Sequence, residues 1–461
     1  VNTDAIHTAL AGAKPVPFWL DDPARPDSVA ALEGTVDTDL VVVGGGYCGL
    51  WTALMAKERD PGRRVVLVEG RELGWAASGR NGGFCSASLT HGEANGQNHF
   101  PGELDTLNRL GLENLDELES AVARYGIDCE FERTGELAVA TRPHEIEWLR
   151  SEAGDDAVFL DRDSVRAEVN SPTYLAGLWD TRGTALVHPA KLVWGLAAAC
   201  RELGVQIYES TVVRKLTSDA GGLTLATDRG RITAQHAALA TNVFPSLLRR
   251  TRLHTVPVYD YALMTEPLSP EQLDSIGWRG RQGIGDVSNR FHYYRRTADD
   301  RILFGGFDAI YHYGRQLRAD YDQRPETFDK LARHFFETFP QLAGLRFTHQ
   351  WGGAVDTCSR FFSFFRTAHR GRVAYSAGYT GLGVGATRFG ANVMLDLLSG
   401  RPTERTELDM VKKMPLPFPP EPLAWAGIGL TTKAMIRSDA NEGRRGLWLR
   451  ALDAVGVGFD S

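Results

Sequence analysis

The run Asp39-Leu-Val-Val-Val-Gly-Gly-Gly-Tyr-Cys-Gly-Leu constrains the fold of this chain more than any other stretch. Its β-branched residues stop at glycine, which suits a buried parallel strand. Residues Gly44, Gly46 and Gly49 then fit G-x-G-x-x-G. In that pattern the first glycine permits a tight turn. The second lets backbone N–H groups approach a pyrophosphate, and the third lets helix and strand pack closely. Leu50 to Lys57 is helix-compatible, Asp60-Pro61-Gly62 breaks it, and Arg64 to Glu69 reads as a second strand. Strand, helix and strand within about thirty residues make one βαβ unit. Glu69 ends the second strand, where a carboxylate accepts hydrogen bonds from ribose hydroxyls and repels a 2′-phosphate. The expectation is an α/β fold that binds an unphosphorylated adenine dinucleotide. FAD and NAD share the ADP half, so this motif leaves both open.

At 461 residues the chain has room for two or three domains. A net charge of −7 gives no basic excess to neutralise phosphates, so nucleic acid is not an expected partner. Cys48, Cys85, Cys129, Cys200 and Cys358 are scattered and form no CxxC pair, as in a reduced cytoplasmic protein. No apolar run reaches the ~18 residues of a transmembrane segment, and the start lacks a signal-peptide pattern. The histidines show no ligand spacing, so no metal is expected. No G-x-S-x-G elbow points to hydrolysis.

Leucines 104, 107, 115 and 118 with Val122 predict an amphipathic helix over 103–124, and Phe328, Leu331, Phe335 and Phe339 predict a second. Short strand-like runs lie at 137–140, 205–208, 237–240, 258–264, 291–295 and 302–304. Arg372 to Gly378 is a late strand entering a glycine cluster, with a helix expected over 391–398. Prolines 415, 417, 419, 420 and 422 make the segment after Gly400 linker-like. Two further glycine-rich stretches could admit a long cofactor. These are Ser78-Gly-Arg80-Asn81-Gly82-Gly83 and Gly378 to Gly385.

Pro17-Phe-Trp19, the fingerprint with Glu69, Ser78–Gly83, Val187-His-Pro-Ala-Lys-Leu192, Ala240-Thr-Asn242, Trp351-Gly-Gly353 and Gly378–Val384 form a specific combination. Together they resemble the D-amino-acid oxidase (DAO) superfamily of FAD-dependent oxidoreductases, in its γ-glutamylputrescine oxidase and sarcosine oxidase-like branch. The resemblance implies a Rossmann-type FAD-binding lobe interleaved with a mixed-sheet substrate lobe. Residues 1–38 would form an N-terminal arm, and 39–92, 186–246 and 370–400 the FAD lobe. Residues 93–185 and 247–369 would form the substrate lobe, with 401–461 an extension packed on the body. It implies that Gly44, Gly46 and Gly49 hold the pyrophosphate and Glu69 the adenosine ribose. Ser78, Arg80, Asn81, Gly82 and Gly83 would run along the flavin side, Val213 beside the adenine, and Thr241 at a strand end above the nucleotide. Gly381, Leu382, Gly383 and Val384 would lie by the isoalloxazine. Relatives carry histidine and lysine in the late glycine run where this chain has Leu382 and Gly385. No cysteine aligns with the flavin-tethering position of sarcosine oxidases, so noncovalent FAD is expected.

A second G-x-G-x-x-G is missing, which favours O₂ or another acceptor over NAD(P) for reoxidation. Arg290 to Arg295 alternates Arg290, His292 and Tyr294 with Phe291, Tyr293 and Arg295, so one face could roof the flavin. His292, Tyr293 and Tyr294 are therefore catalytic candidates. Asp308, where the family places a substrate-facing polar residue, could attract an ammonium. Arg290, Arg295 and Arg296 offer the rival reading, a clamp for a substrate carboxylate. The expected reaction oxidises a C–N bond in an amine or amino acid, with hydride passing to flavin N5, imine hydrolysis and reoxidation by O₂. A dehydrogenase of amines or 2-hydroxy acids, and a flavin-binding protein without turnover, are the alternatives.

Overall fold

The computed structural model describes residues 3–454 and 456–457. Strand β1 (Gly34–Val43) ends in four residues that are all buried, as its unbroken Leu-Val-Val-Val run requires of a central parallel strand. It pairs in parallel with β2 (Val65–Val68) on one side and with β11 (Gly230–Leu239) on the other. Beyond these, also parallel, lie β8 (Gln206–Tyr208) and β19 (Val373–Ala377). The antiparallel strands β18 (Phe364–Ala368), β9 (Val213–Ser218) and β10 (Leu223–Thr227) complete the sheet. The main path is β18-β19-β11-β1-β2-β8. Helices Tyr47–Arg59, Pro189–Glu202 and Gly383–Ser399 cover one face and share a core through Trp51, Leu54, Leu196 and Phe389. The Val-His-Pro motif has a local reason. Pro189 starts the second of these helices, and the His188 ring nitrogen accepts from Lys191 N at 3.2 Å as its cap.

The second sheet has nine strands. They are β4 (Glu136–Ala140), β5 (Ala157–Leu160), β6 (Ala176–Asp180), β12 (Val256–Thr265), β13 (Gly283–Asp286), β14 (His292–Arg296), β15 (Ile302–Gly306), β16 (Ile310–Tyr311) and β17 (Phe347–Thr357). Their path is β16-β12-β15-β14-β13-β4-β6-β5, with β17 along β12. The β13–β4 pair is parallel and the rest antiparallel, so the sheet is mixed. A short ribbon of β3 (Phe84–Ser86) and β7 (Thr184–Leu186) lies apart from both.

The two faces of the mixed sheet differ. On one, helix Pro325–Thr338 inserts Phe328, Leu331 and Phe335 among Tyr261, Tyr294 and Phe304, all buried. Each such side chain contributes roughly 2 kcal/mol of hydrophobic burial. The other face carries half-buried Ala138, Asp260, Gly285, Tyr293 and Gly353. Loop Ser78–Gly83 and Phe84 bear on that face, since a Cβ at Gly82 would meet the Tyr293 ring and one at Gly283 the Phe84 ring.

Two sequence expectations shift. The late helix begins at Gly383, not at 391, because the glycine run itself enters the helix. After the proline stretch the chain resumes as helix Leu423–Ala440. Asn289 anchors its end through Asp439 at 2.6 Å, and Leu423, Trp425 and Leu430 stay exposed. No helix among the described residues is long and apolar enough to cross a membrane.

Candidate active site

The fingerprint glycines meet at the carboxyl ends of β1 and β11. Gly44 has φ 119°, and a Cβ there would stand 2.3 Å from the Ala240 carbonyl oxygen. A Cβ at Gly49 would stand 1.8 Å from the Gly44 oxygen, so both positions admit only glycine. At Gly46 a Cβ would approach the Ser78 hydroxyl to 2.8 Å. That hydroxyl accepts from Tyr47 N at 3.1 Å, in the first turn of helix Tyr47–Arg59. Glu69 accepts from Gly45 N at 2.6 Å, Arg71 N at 3.0 Å and the Trp75 indole at 3.2 Å. Burial raises its pKa and these donors oppose the rise. Thr211 N donates to the Glu69 carbonyl at 2.7 Å, which brings the start of β9, with Val213, to the end of β2. Thr241 Oγ1 and Asn242 Oδ1 are buried without a partner, just past the end of β11. Each orphaned group costs about 1–3 kcal/mol unless something bonds to it. Bare backbone at Gly46, an acid at the β2 end and two unmet polar atoms fit a dinucleotide.

Loop Ser78–Gly83 is built by its own side chains. Asn81 accepts from Gly83 N at 2.8 Å and donates to Ala77 O at 2.9 Å, and its carbonyl takes the Trp19 indole N–H at 2.8 Å. Arg80 donates to Trp75 O at 2.8 Å and Gly352 O at 3.0 Å and pairs with Asp322. The Arg80 carbonyl takes the Trp351 indole N–H at 2.8 Å. Two separate sequence motifs thus close on one loop. Gly83, with φ 80°, lies so close to Val187 O that a Cβ would be 2.3 Å away.

The late glycine run hangs on a carboxylate that the sequence analysis missed. Asp356, buried near the end of β17, accepts from Gly378 N at 2.6 Å and Tyr379 N at 3.3 Å. Burial pushes its pKa up to about 6 against those backbone donors. An acid among Val and Thr at a strand end was the available signal. Gly381 (φ 93°) is exposed, Leu382 is half-buried at the cap position, and Gly383 and Val384 open the helix. The helix N-terminus there favours negative charge. A Cβ at Gly385 would lie 2.2 Å from the Ser86 carbonyl oxygen, which leaves no room for a side chain at that position.

The structure separates the four substrate-side candidates. Tyr293 faces the loop, its ring flanked by Gly82 and Gly305, each 2.7 Å from the ring counted from a Cβ. Its hydroxyl donates to Asp260 Oδ2 at 2.6 Å. His292 and Tyr294 point to the opposite face. His292 contacts Asp286 at 2.6 Å and His334 at 2.9 Å, and Tyr294 shares a 2.7 Å hydrogen bond with buried Tyr174. Alternation along the strand divides them in this way. Asp308 is bonded to Lys330 and Thr327, both at 2.7 Å, and to Arg324 at 3.3 Å, all on or beside helix Pro325–Thr338. Arg290 pairs with Asp439 and Arg296 with Asp300, away from the loop. Arg295 shares the Tyr293 face but is fully buried, donating to Val187 O at 2.6 Å. Asp260, which the sequence analysis missed, is raised to about 6, chiefly by burial.

Comparison with known proteins agrees with this fold. The DAO family model, described as FAD dependent oxidoreductase, matches residues 39–397. The chain is 30% identical to gamma-glutamylputrescine oxidoreductase of Escherichia coli over 407 residues, 84% of this chain and 89% of that protein. It is 27% identical to the probable oxidoreductase OrdL of Haemophilus influenzae over 83% of this chain and 88% of the relative. Among solved structures, glycine oxidase from Geobacillus kaustophilus superposes with a TM-score of 0.67 at 19% identity, covering 80% of this chain and 96% of that one. L-proline dehydrogenase from P. horikoshii superposes at 0.65 and 18%, covering 81% and 96%.

Proposed function

Because the chain belongs to the DAO family of FAD-dependent oxidoreductases, we propose that it oxidises a C–N bond of an amine or amino acid and returns its electrons to O₂. The observation that carries this reading is the half-exposed face of the mixed sheet, with Tyr293 and Asp260 turned toward the side where the Ser78–Gly83 loop lies. The nucleotide half of FAD would lie on Gly44, Gly46, Gly49 and Glu69, with Thr241 and Asn242 offering their unmet polar atoms. Ser78, Arg80, Asn81, Gly82, Gly83 and Gly381 to Val384 would frame the flavin ring. Bound flavin supplies the hydride acceptor at N5.

The chain's own residues have three tasks. The sheet face and the loop exclude water once the bound ammonium has lost its proton to solvent, so that the neutral amine is held against the ring. Tyr293 stays protonated, since burial and the Asp260 charge raise its pKa well above the ordinary value, and it is committed as a donor. The helix N-terminus at Gly383 favours the charge that builds on the ring side. A noncovalent cofactor is supported by the surroundings of Cys358. This thiol lies against Gly378 and donates to the Phe362 carbonyl at 3.1 Å, buried in the core.

The test is anaerobic mixing of the purified yellow protein with amines, amino acids and 2-hydroxy acids. Bleaching by a nitrogen substrate, then peroxide on re-aeration, is the expected result. Bleaching without peroxide points to another acceptor. Bleaching only by hydroxy acids, or by nothing, overturns the reading. Acid precipitation should release all the flavin into the supernatant.

A further inference from the structure

We propose that Asp260 is the anionic anchor for the substrate's ammonium, so that the enzyme takes an amine with no carboxylate on the carbon bearing nitrogen in preference to an α-amino acid. The inference rests on the reading of the site as an amine-oxidising one. Asp260 sits in mid-strand on β12, yet is half-buried, not sealed, on the face turned to loop Ser78–Gly83. Its bonded side-chain partner is the neutral Tyr293 hydroxyl. Among the described residues no cation forms an ion pair with it. Arg80 leans on Gly353, the residue opposite Asp260 in the β12–β17 ladder, but its guanidinium is committed to Asp322 and the Gly352 carbonyl. A carboxylate this enclosed and without a counter-ion is costly, and a cation arriving on it offsets the cost.

The other charges narrow the substrate. Asp308, the sequence candidate for this task, is already paired with Lys330 and Arg324. Glu136 is also half-buried on this face, but β4 lies four strands from β12, about 19 Å between backbones at about 4.8 Å per strand. A small amine on Asp260 therefore does not reach Glu136. Arg290 and Arg296 are paired elsewhere and Arg295 is sealed under Gly83 and Val187. An α-carboxylate entering beside Asp260 would meet like charge, with the guanidiniums of Arg80, Arg290, Arg295 and Arg296 all committed elsewhere.

The experiment compares each amino acid with its decarboxylated amine, leucine with isoamylamine and phenylalanine with phenethylamine, in the FAD-loaded enzyme under anaerobic conditions. Reductive kcat/KM should favour the amine by about 10-fold or more, and Asp260→Asn should lower it for the amine by about 10- to 100-fold, mostly through KM, with FAD content unchanged. Tyr293→Phe removes the hydroxyl and keeps the charge, so it should keep the preference for the amine. If Asp260→Asn does not fold, the similarly small and uncharged Asp260→Ser serves, and the preference of the parent stands as an independent readout. A parent that prefers the amino acid, or an Asp260 variant with unchanged KM for amines, overturns the anchor while amine oxidation survives. A parent bleached by no nitrogen compound overturns both.

Discussion

At Gly46, in the proposed cofactor site, one added methyl group would separate a binding turn from a blocked one. A side chain there would collide with the Ser78 hydroxyl that caps the adjoining helix, and would occupy the approach of the pyrophosphate. Gly46→Val should therefore give a folded protein with little or no FAD, read from the flavin-to-protein absorbance ratio. A fully loaded variant would sink the assignment. Asp260 yields a pH prediction. It faces the Tyr293 hydroxyl on β14 and Gly353 with Arg80 on the β17 side, and the Asp308 charge beyond β15 adds to its rise. With its pKa raised to about 6, chiefly by burial, the carboxylate that would bind an ammonium forms as pH rises through that value. Reductive kcat/KM for an amine should climb between about pH 5 and 7, and Asp260→Asn should lose that limb. A parent profile flat over this range argues against Asp260 ionising where stated. The candidate residues were legible to unequal degrees. The fingerprint glycines were plain because close backbone packing forbids a side chain. Tyr293, His292 and Tyr294 were legible only as a group, since strand alternation separates their faces but does not say which face is which. Asp260 left no mark, because its meaning comes from the strands beside it.

At the scale of elements, the late glycine run shows how sequence spacing understates a helix. Gly383 and Gly385 read as a loop, yet they open the helix, and Gly385 lies on the Ser86 carbonyl of β3. Gly385→Ala should cost about 1–3 kcal/mol through that backbone contact and lower the melting temperature, and Gly385→Lys should cost more. A lysine variant as stable as the parent would contradict the packing. The run's other support, Asp356, carries a stability term whose sign follows from its raised pKa. A carboxyl at about 6 in the folded chain and near 3.8 unfolded favours folding below about pH 4, and loses that contribution as pH rises through about 6. The stability difference between parent and Asp356→Asn should therefore shrink, from the parent's side, between pH 4 and 7 in paired thermal melts. A difference that grows with pH would refute it. The long helices at 104–124 and 325–338 were legible from their apolar period. Helix Leu423–Ala440 was hidden by the prolines before it and by its weakly amphipathic face.

Across the whole molecule, the cofactor sheet is assembled from distant stretches. Its central strand β1 is flanked by β11 and, next beyond, by β19. A fragment of residues 1–200 keeps β1 and β2 but lacks β8, β11 and β19. It should neither melt cooperatively nor bind FAD, and a stable yellow fragment would show that the lobes are consecutive, not interleaved. The same strand order has a consequence during synthesis. The strand that completes the parallel core leaves the ribosome last, with residues 373–377, and helix Gly383–Ser399 must follow before the cradle closes. Until then β11 waits with one open edge, an invitation to pair with another nascent chain. Pairings this far apart in sequence also form slowly. Yield of active protein should therefore depend on translation rate and chaperone supply more than on FAD supply, because cofactor has nothing complete to bind until most of the chain has emerged.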